Sequence, residues 1–476
     1  MWLDNLIGWA SPERGYARLQ ARRALDEVRG YEAAKHGRRT SNWHTTGASA
    51  NADISRDLPW LRQRSRDMAQ NNGYAVSLVD KFVAHAIGTG IVAKWSEERT
   101  QALWKAWVQQ ADADGQLDFY GLQALATRTV EESGEVLVRL RARLPDDGLP
   151  VPLQIQLLEP DYLDHLKTMD LPNGGYIVNG VEFSPLGRPA AYWLFDRHPG
   201  EVGPLFRPLD SHRVDAADVL LVYRKTRPGQ VRGVPRLAPV LQKLRDLDDY
   251  EDAELMRKKI EACFAAFVTT ADQSRTLGQA QTDSSGATRT KMSPGMIERL
   301  RPGESVAFGN PSASNDGDFT RRQQRAVAAG AGSTYEQMSG DLSQVNYSSG
   351  RIGLIDFRAL TEQFRWLTFI PMFLEPVAAR WLLLARLSGK AKAASVEWIA
   401  PRWEYIDPVK DAKGDMILAA AGIKTQSDLW HERGYDREEQ LRKLKQDRED
   451  LTAAGVTIIY DSETVVEPNI EPLKPA

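Results

Sequence analysis

The sequence is poor in the residues that usually reveal an active site. It holds one cysteine, Cys263, in 476 residues, which excludes an intrachain disulfide and any zinc site built from several thiolates. Ala262, Phe264, Ala265 and Ala266 surround it, a setting for a small buried or subunit-facing side chain rather than an activated nucleophile. The seven histidines (His36, His44, His85, His165, His198, His212 and His431) show neither HExxH nor a paired metal-ligand spacing. Asp161 and Asp164 beside His165 read as turn chemistry. No Walker A motif is present, which excludes a P-loop ATP-driven motor. Gly88-Thr89-Gly90 and Gly330-Ala331-Gly332 lack the third glycine of a dinucleotide fingerprint. No catalytic, cofactor-binding or metal-binding residue is assigned.

Strong net charge is missing too. At −3 the chain is near neutral, whereas proteins that grip duplex DNA are usually basic, because phosphate neutralisation dominates their affinity. A tight, static DNA binder is disfavoured, while a protein that surrounds DNA without holding it is compatible. Long apolar runs are also absent. The best, around Trp366 to Leu387, is interrupted by Pro371, Glu375, Pro376, Arg380 and Arg386, so no membrane span is expected. Met1 to Leu6 lack the basic and apolar regions of a signal peptide, and a cytosolic place of assembly is expected. What is present is ordinary for globular protein: 42% hydrophobic and 26% charged residues, over a length that calls for two or more packed units. No repeat of 20–50 residues is apparent.

Two periodicities organise the chain. Helical spacing runs over Glu13–His36, Leu58–Ile87, Glu97–Gln109 and Phe119–Glu132, with Thr40–Asp53 as an irregular connector. Arg62, Arg64 and Arg66 read as a solvated or subunit-contacting helix face, with a phosphate site as the alternative. Alternation then takes over at 135–140, 153–158, 191–195 and 219–223, punctuated by turns such as 145–148 and 172–175, and predicts a β-rich unit with hairpins. Pro235 suits a helix first turn, and a helix to about Ala266 is expected, its regular part delayed by Pro239. Leu237, Val240, Leu241, Leu244 and Leu247 give it one apolar stripe. Asp246, Asp248, Asp249, Glu251, Asp252 and Glu254, then Arg257, Lys258 and Lys259, occupy the rest. That surface reads as a solvated acidic face or a channel-facing one. A metal-dependent nuclease cluster would need a partner element that is not evident. A polar insert spans Ala271–Thr290, with β-like pieces at 297–300 and 305–308. A helical run covers Asp318–Ala331, a strand Ser395–Ile399, and two charged helices about Val409–Ala421 and Ser427–Ala454. Pro468, Pro472 and Pro475 predict a frayed tail.

The most informative block is Asn346-Tyr347-Ser348-Ser349-Gly350-Arg351, which opens into an amphipathic run from Ile352 to Leu387. That run carries Arg358, Glu362 and Arg365 among Phe357, Leu360, Phe364, Trp366 and Leu367. Upstream stand Leu300–Glu304 and Tyr335–Asp341. Farther upstream are 61–67, 71–75, 88–91, Gly134-Glu135, 158–161, 187–189 and 227–235. In this order and spacing the blocks resemble the lambda-like portal family of tailed bacteriophages, from about Tyr31 to Gly455.

The resemblance implies an α+β portal fold with an α/β wing, two-helix stem, small β-containing clip, long wing helix and helical crown. It would place an N-terminal helical arm at 1–58, the wing at 59–234, stem helices at 235–266 and 318–335, and the clip at 267–317. A tunnel loop would lie at 336–350, the long wing helix and strand at 351–400, the crown at 401–455 and a tail at 456–476. Ser343, Gln344, Asn346, Tyr347, Ser348, Ser349 and Arg351 would face DNA. Asp248, Glu251, Asp252, Lys258 and Lys259 would be stem residues facing the channel. Arg351 has two readings, a phosphate contact or a buried salt bridge anchoring the loop. The implied role is a non-enzymatic ring at one capsid vertex of the virion, through which DNA is packaged and ejected. It would be a homo-oligomer, by resemblance a dodecamer, meeting double-stranded DNA non-specifically. Its implied partners are the terminase large subunit, the head-tail adaptor, the major capsid protein and scaffold. A ring-forming capsid adaptor without a DNA channel, or a capsid-associated nuclease, is the competing class.

Overall fold

Val136-Leu137-Val138 is apolar without alternation, the mark of a strand covered on both faces. Accordingly β1, Glu135–Ala142, is the central strand of a three-stranded antiparallel sheet, between Leu153–Leu158 and Val219–Tyr223. Leu137 lies opposite Leu158 on one side and Leu221 on the other. Two glycines make its entrance possible. Gly134 adopts φ 88°, and a Cβ there would come within 2.5 Å of the Val234 backbone, while Gly233 presses on Gly134 in return. The computed structural model describes residues 9, 11–28, 34, 37–201, 210–263, 280–282, 288–290 and 317–455.

Two compact units divide the chain, Met1–Asp53 and Ile54–Ala476. The first holds a helix at Pro12–Val28, within the expected 13–36; residues 29–33 lie outside the described set. Helix Ala50–Asn71 starts eight residues before the expected Leu58, taking in part of the stretch read as irregular. Helix Gly73–Ala86 follows, capped by Asn72, whose side chain accepts from the amides of Tyr74 and Ala75 at 3.1 Å each.

In the second unit the main core is aromatic. Trp104 lies 4.8 Å from Trp107, 4.9 Å from Trp381 and 5.5 Å from Trp95 and Phe119 (ring centroids), and all five are buried. Helices Glu98–Val108 and Phe119–Ser133 supply one wall. The other is the 41-residue helix Tyr347–Leu387, which buries Phe357, Thr361, Phe364, Phe369, Phe373, Val377 and Trp381. This helix widens to π-helical turns over Arg365–Leu374. Pro371 cannot donate to the ladder and its ring would collide with the carbonyl one α-turn back, so the wider turn is the local response. By length and composition this helix is apolar enough to cross a membrane, contrary to the sequence expectation; its phenylalanines and Trp381 are instead covered by protein.

A second sheet is a five-stranded antiparallel meander of 169–170, 176–178, 181–183, 189–195 and 211–215. Val92–Trp95 pairs antiparallel with the expected strand at Val396–Ile399. Three boundaries differ from expectation. The helix expected from 235 begins at Leu241, because 236–240 wind as turns around Pro239; it is described to Cys263. Its stripe Leu237, Val240, Leu241, Leu244 and Leu247 is buried as expected. The helical run read over 318–331 is Gly317–Gly330, ended near Gly332 at φ 67° and short of the 335 that the resemblance implies. The last expected helix is two, Gln426–Glu432 and Arg437–Ala453, separated at Gly434 with φ 70°. Within the insert read as low-complexity, 280–282 and 288–290 form an antiparallel strand pair. The β-like pieces at 297–300 and 305–308, the side chain of Cys263 and the tail 456–476 lie outside the described residues.

The arginine cluster is not a uniformly solvated face, and this is the clearest correction. Arg64 is exposed, but Arg62 is only 2% exposed and pairs with Glu135, itself fully buried. Arg232, also fully buried, donates from Nε to the same carboxylate at 2.7 Å, and the Gly233 amide donates to its other oxygen at 2.7 Å. Arg62 further donates to the Ser133 carbonyl at 3.2 Å, and Arg232 to that of Asn179 at 2.8 Å. One carboxylate thus sits between two guanidiniums. Burial pushes Arg62 down to about 10 despite the pull of Glu135. Removing one member of such a group typically costs ~3–5 kcal/mol, because a buried charge is left uncompensated. Residues 61–67, 134–135, 158–161 and 227–235 therefore converge on one ionic knot, which no single segment discloses.

Candidate channel loop

The loop is held by short local bonds on both sides. Thr334 caps the five-residue helix Tyr335–Ser339 in a reciprocal capping box with Gln337. That helix buries Met338 and is tied to Gly73–Ala86 through the Gln337 carbonyl, which accepts from Lys81 Nζ at 2.5 Å and Ser77 Oγ at 3.2 Å. Gly340, at φ 73°, ends it. Asp341 then organises the turn. Its carboxylate accepts from the Ser343 amide at 3.0 Å and the Tyr335 hydroxyl at 2.9 Å. Hydrogen bonds from Ser343 and Tyr335 hold this carboxyl at about 2, well below its ordinary value.

The loop proper is shorter than the expected 336–350. Asn346 is a helix N-cap, its side chain accepting from the Ser349 amide at 2.8 Å. Ser343, Gln344 and Asn346 therefore lie in an exposed loop at 340–346, while Tyr347, Ser348, Ser349 and Arg351 occupy the first turns of the long helix. A Cβ on Gly350 would approach Val345 Cγ1 to 2.9 Å, so the loop folds closely over the helix start. Arg351 is half-exposed and pairs with Asp411 at 2.9 Å; Tyr347 accepts from it at 3.3 Å, and Lys410 lies 5.6 Å over the Tyr347 ring. Asp411 also accepts from the amides of Ile406 and Asp407 at 3.1 Å each. Arg351 thus has a salt-bridge partner, but the pair is partly exposed and not buried as expected.

The other residues assigned to a channel divide. Asp248 accepts from Asn72 at 3.2 Å, and Glu251 from Tyr74 at 3.1 Å and Gln324 at 3.4 Å, so both are engaged by neighbouring helices. Asp252, Lys258 and Lys259 are exposed.

A groove unmarked by sequence lies beside the loop, a cavity of about 760 Å³ between the long helix and residues 397–433. Arg351, Arg358 and Arg365 enter it at seven-residue spacing, one helix face. Trp403 lines it too, with the Arg365 guanidinium 4.4 Å from its ring and its indole donating to Glu362 at 2.8 Å. Arg365 also donates to the carbonyls of His85 and Ala86 at 2.6 and 2.7 Å, the C-terminal end of helix 73–86. Elsewhere Glu159, Asp161 and His198 bring ligand atoms within 4.8 Å of one another. Arg66 already pairs with both carboxylates, so a cation is in place where sequence showed only turn chemistry.

These features describe a structural subunit with a polar, exposed loop anchored on a long helix. The lambda family of phage portal proteins matches residues 36–365. The probable portal protein of Halomonas phage phiHAP-1 is 26% identical, over 95% of this chain and 93% of that one. The portal protein of Escherichia phage N15 is 24% identical, and portal protein B of Escherichia phage lambda 22%, each over 91% of this chain and 92% of the relative. The neck of a native GTA particle, computed with C12 symmetry, is also similar, with 17% identity and a TM-score of 0.41 over 80% of this chain and 94% of that chain. The chain belongs to the lambda family of phage portal proteins.

Proposed function

We propose that copies of this chain close into a ring, twelve in the virion, that forms the DNA channel at one capsid vertex. Family membership over 36–365 is the observation that carries this reading. Residues 340–351 line the narrowest part of the channel, and Ser343, Gln344, Asn346, Tyr347, Ser348 and Ser349 meet the duplex by weak, exchangeable hydrogen bonds. A small polar loop suits sliding, since it neither neutralises phosphate strongly nor reads sequence. Arg351 serves chiefly as the anchor. Asp252, Lys258 and Lys259 are exposed and are the stem residues that face the channel in this reading. Residues 59–234 would be the wing, 241–263 and 317–330 the stem helices, 267–316 the clip and 401–455 the crown. The clip docks the terminase large subunit during packaging and the head-tail adaptor afterwards, and the rim meets capsid protein and scaffold. Ile352, Ile355, Trp366 and Leu367 leave an exposed apolar strip on the long helix, which supports burial against a neighbouring copy. No observation favours the nuclease or adaptor alternative.

Particle images of the purified chain test the proposal. A closed ring with a hole of duplex width is expected. Monomer alone across a wide range of concentration and salt would overturn it.

A further inference from the structure

The C-terminal helices lack a core of their own. Pro408–Ala420, Gln426–Glu432 and Arg437–Ala453 contain no buried residue. Polar tethers such as Arg351–Asp411 and Lys94–Asp436 hold them to the rest of the unit. Isolated helices of this length are marginal in water and need a packed face. The apolar residues that could supply one are outward. Leu441 is 46% exposed and Leu444 37% exposed; with Arg448 and Leu451 they follow the alternating four-and-three spacing of a two-helix seam. Helix 408–420 carries a second strip, with Val409, Met416 and Ile417 all exposed.

Charge selects the occupant. Helix 437–453 has five basic residues (Arg437, Arg442, Lys443, Lys445, Arg448) and five acidic ones (Glu438, Glu439, Asp447, Glu449, Asp450), a balance of zero. Helix 408–420 has Lys410 and Lys413 against Asp411 and Asp415, again zero. A polyanion such as DNA gains nothing from such a surface, whereas interspersed signs suit a surface of the same composition. We infer that the leucine seam of helix 437–453 in one copy packs on the C-terminal helices of the next, the strip on 408–420 being the complementary surface. Two different strips on one unit give the heterologous contact that closes a ring, one strip to each neighbour. This inference rests on the ring proposed above and adds the surface that joins its copies.

The test uses the full chain, with L441E/L444E and, separately, M416E/I417E, followed by mass photometry and by hydrogen exchange of the helical peptides. All four side chains are exposed, and circular dichroism checks that each variant remains folded. The expected result is protection of 408–420 and 437–453 in the wild-type ring. Each variant should raise the concentration for half-assembly roughly tenfold or more, with loss of that protection. A wild-type ring whose C-terminal helices exchange freely, with variants assembling at the wild-type concentration, would overturn the inference and leave the ring intact. Failure of the wild type to form any ring would remove the ring proposal and this one with it.

Discussion

The interior around Trp104 and Glu135 and the surface around Asn346 are stabilised in opposite ways. Inside, partners come from distant parts of the chain: Arg62, Glu135 and Arg232 meet across three segments, and Trp381 closes on Trp104 and Trp107. At the loop, most bonds join residues within six positions of each other, such as Tyr335 to Asp341 and Asn346 to Ser349. The interior should tolerate almost no change. The loop should accept substitutions at little cost to the fold, which is what the proposed sliding contact with DNA would require.

The largest effect is expected from Glu135→Ala, which strands two buried guanidiniums at once. Loss of one partner costs ~3–5 kcal/mol, so this variant should lie at or beyond the upper end. Chemical denaturation measures it, and a loss below roughly 1 kcal/mol would show that the knot is not a structural centre. Trp381→Ala should follow closely, at about 3–5 kcal/mol for a large buried aromatic, read in the same way. A small loss would mean that the aromatic core can collapse around the gap.

Legibility in the sequence follows the same division. Strands 135–142, 153–158, 189–195 and 219–223 are readable because alternation and turn residues are local signals. The apolar stripe from Leu237 to Leu247 is readable because 3–4 spacing is local too. The ionic knot is not, since Arg62 beside Arg64 and Arg66 looks like any charged helix face until Glu135 and Arg232 are brought to it. The π-helical turns at Arg365–Leu374 were equally hidden, although Pro371 marked their place. A polar loop does lie between the two helices, but at 340–346 it is shorter than the 336–350 expected. Asn346 followed by Ser348 and Ser349 reads as loop by composition, while the same asparagine is a strong N-cap signal, and Thr334 with Gln337 is a capping box. Weighing cap chemistry above polarity would have set both boundaries.

That correction separates two loop experiments. Asn346→Ala removes a cap and should cost about 1 kcal/mol, mixing a structural loss with any loss of DNA contact. Ser343→Ala, Gln344→Ala and Ser348→Ala together leave the cap and the Ser343 amide bond to Asp341 in place, so that only the Ser343 hydroxyl bond is lost, at a smaller cost of about 0.5 kcal/mol. Under the proposed function the triple variant assembles normally and packages or retains less DNA. Normal genome length and infectivity in that variant would remove these side chains from the channel.

The smallest effect concerns Asp341, and it sharpens the comparison because a carboxylate without such partners titrates near 3.8. Hydrogen bonds from Ser343, then Tyr335, favour the charged form and lower it to about 2. The sign follows from linkage: a depressed folded-state value stabilises the turn above the unfolded value of 3.8 and loses that contribution as pH falls through about 2. The turn should therefore be unchanged across the neutral and mildly acidic range and loosen only in strong acid. The carboxyl carbon shift of Asp341 measures the midpoint. Ser343→Ala, which removes the hydroxyl but keeps the amide, should move the midpoint upward toward 3.8, and Tyr335→Phe should do so by less, following the order of the two bonds. A midpoint near 3.8 in the unmodified chain would mean that the turn is not stapled by Asp341, and the exposed loop would then lack the local order that distinguishes it here from a merely solvated connection.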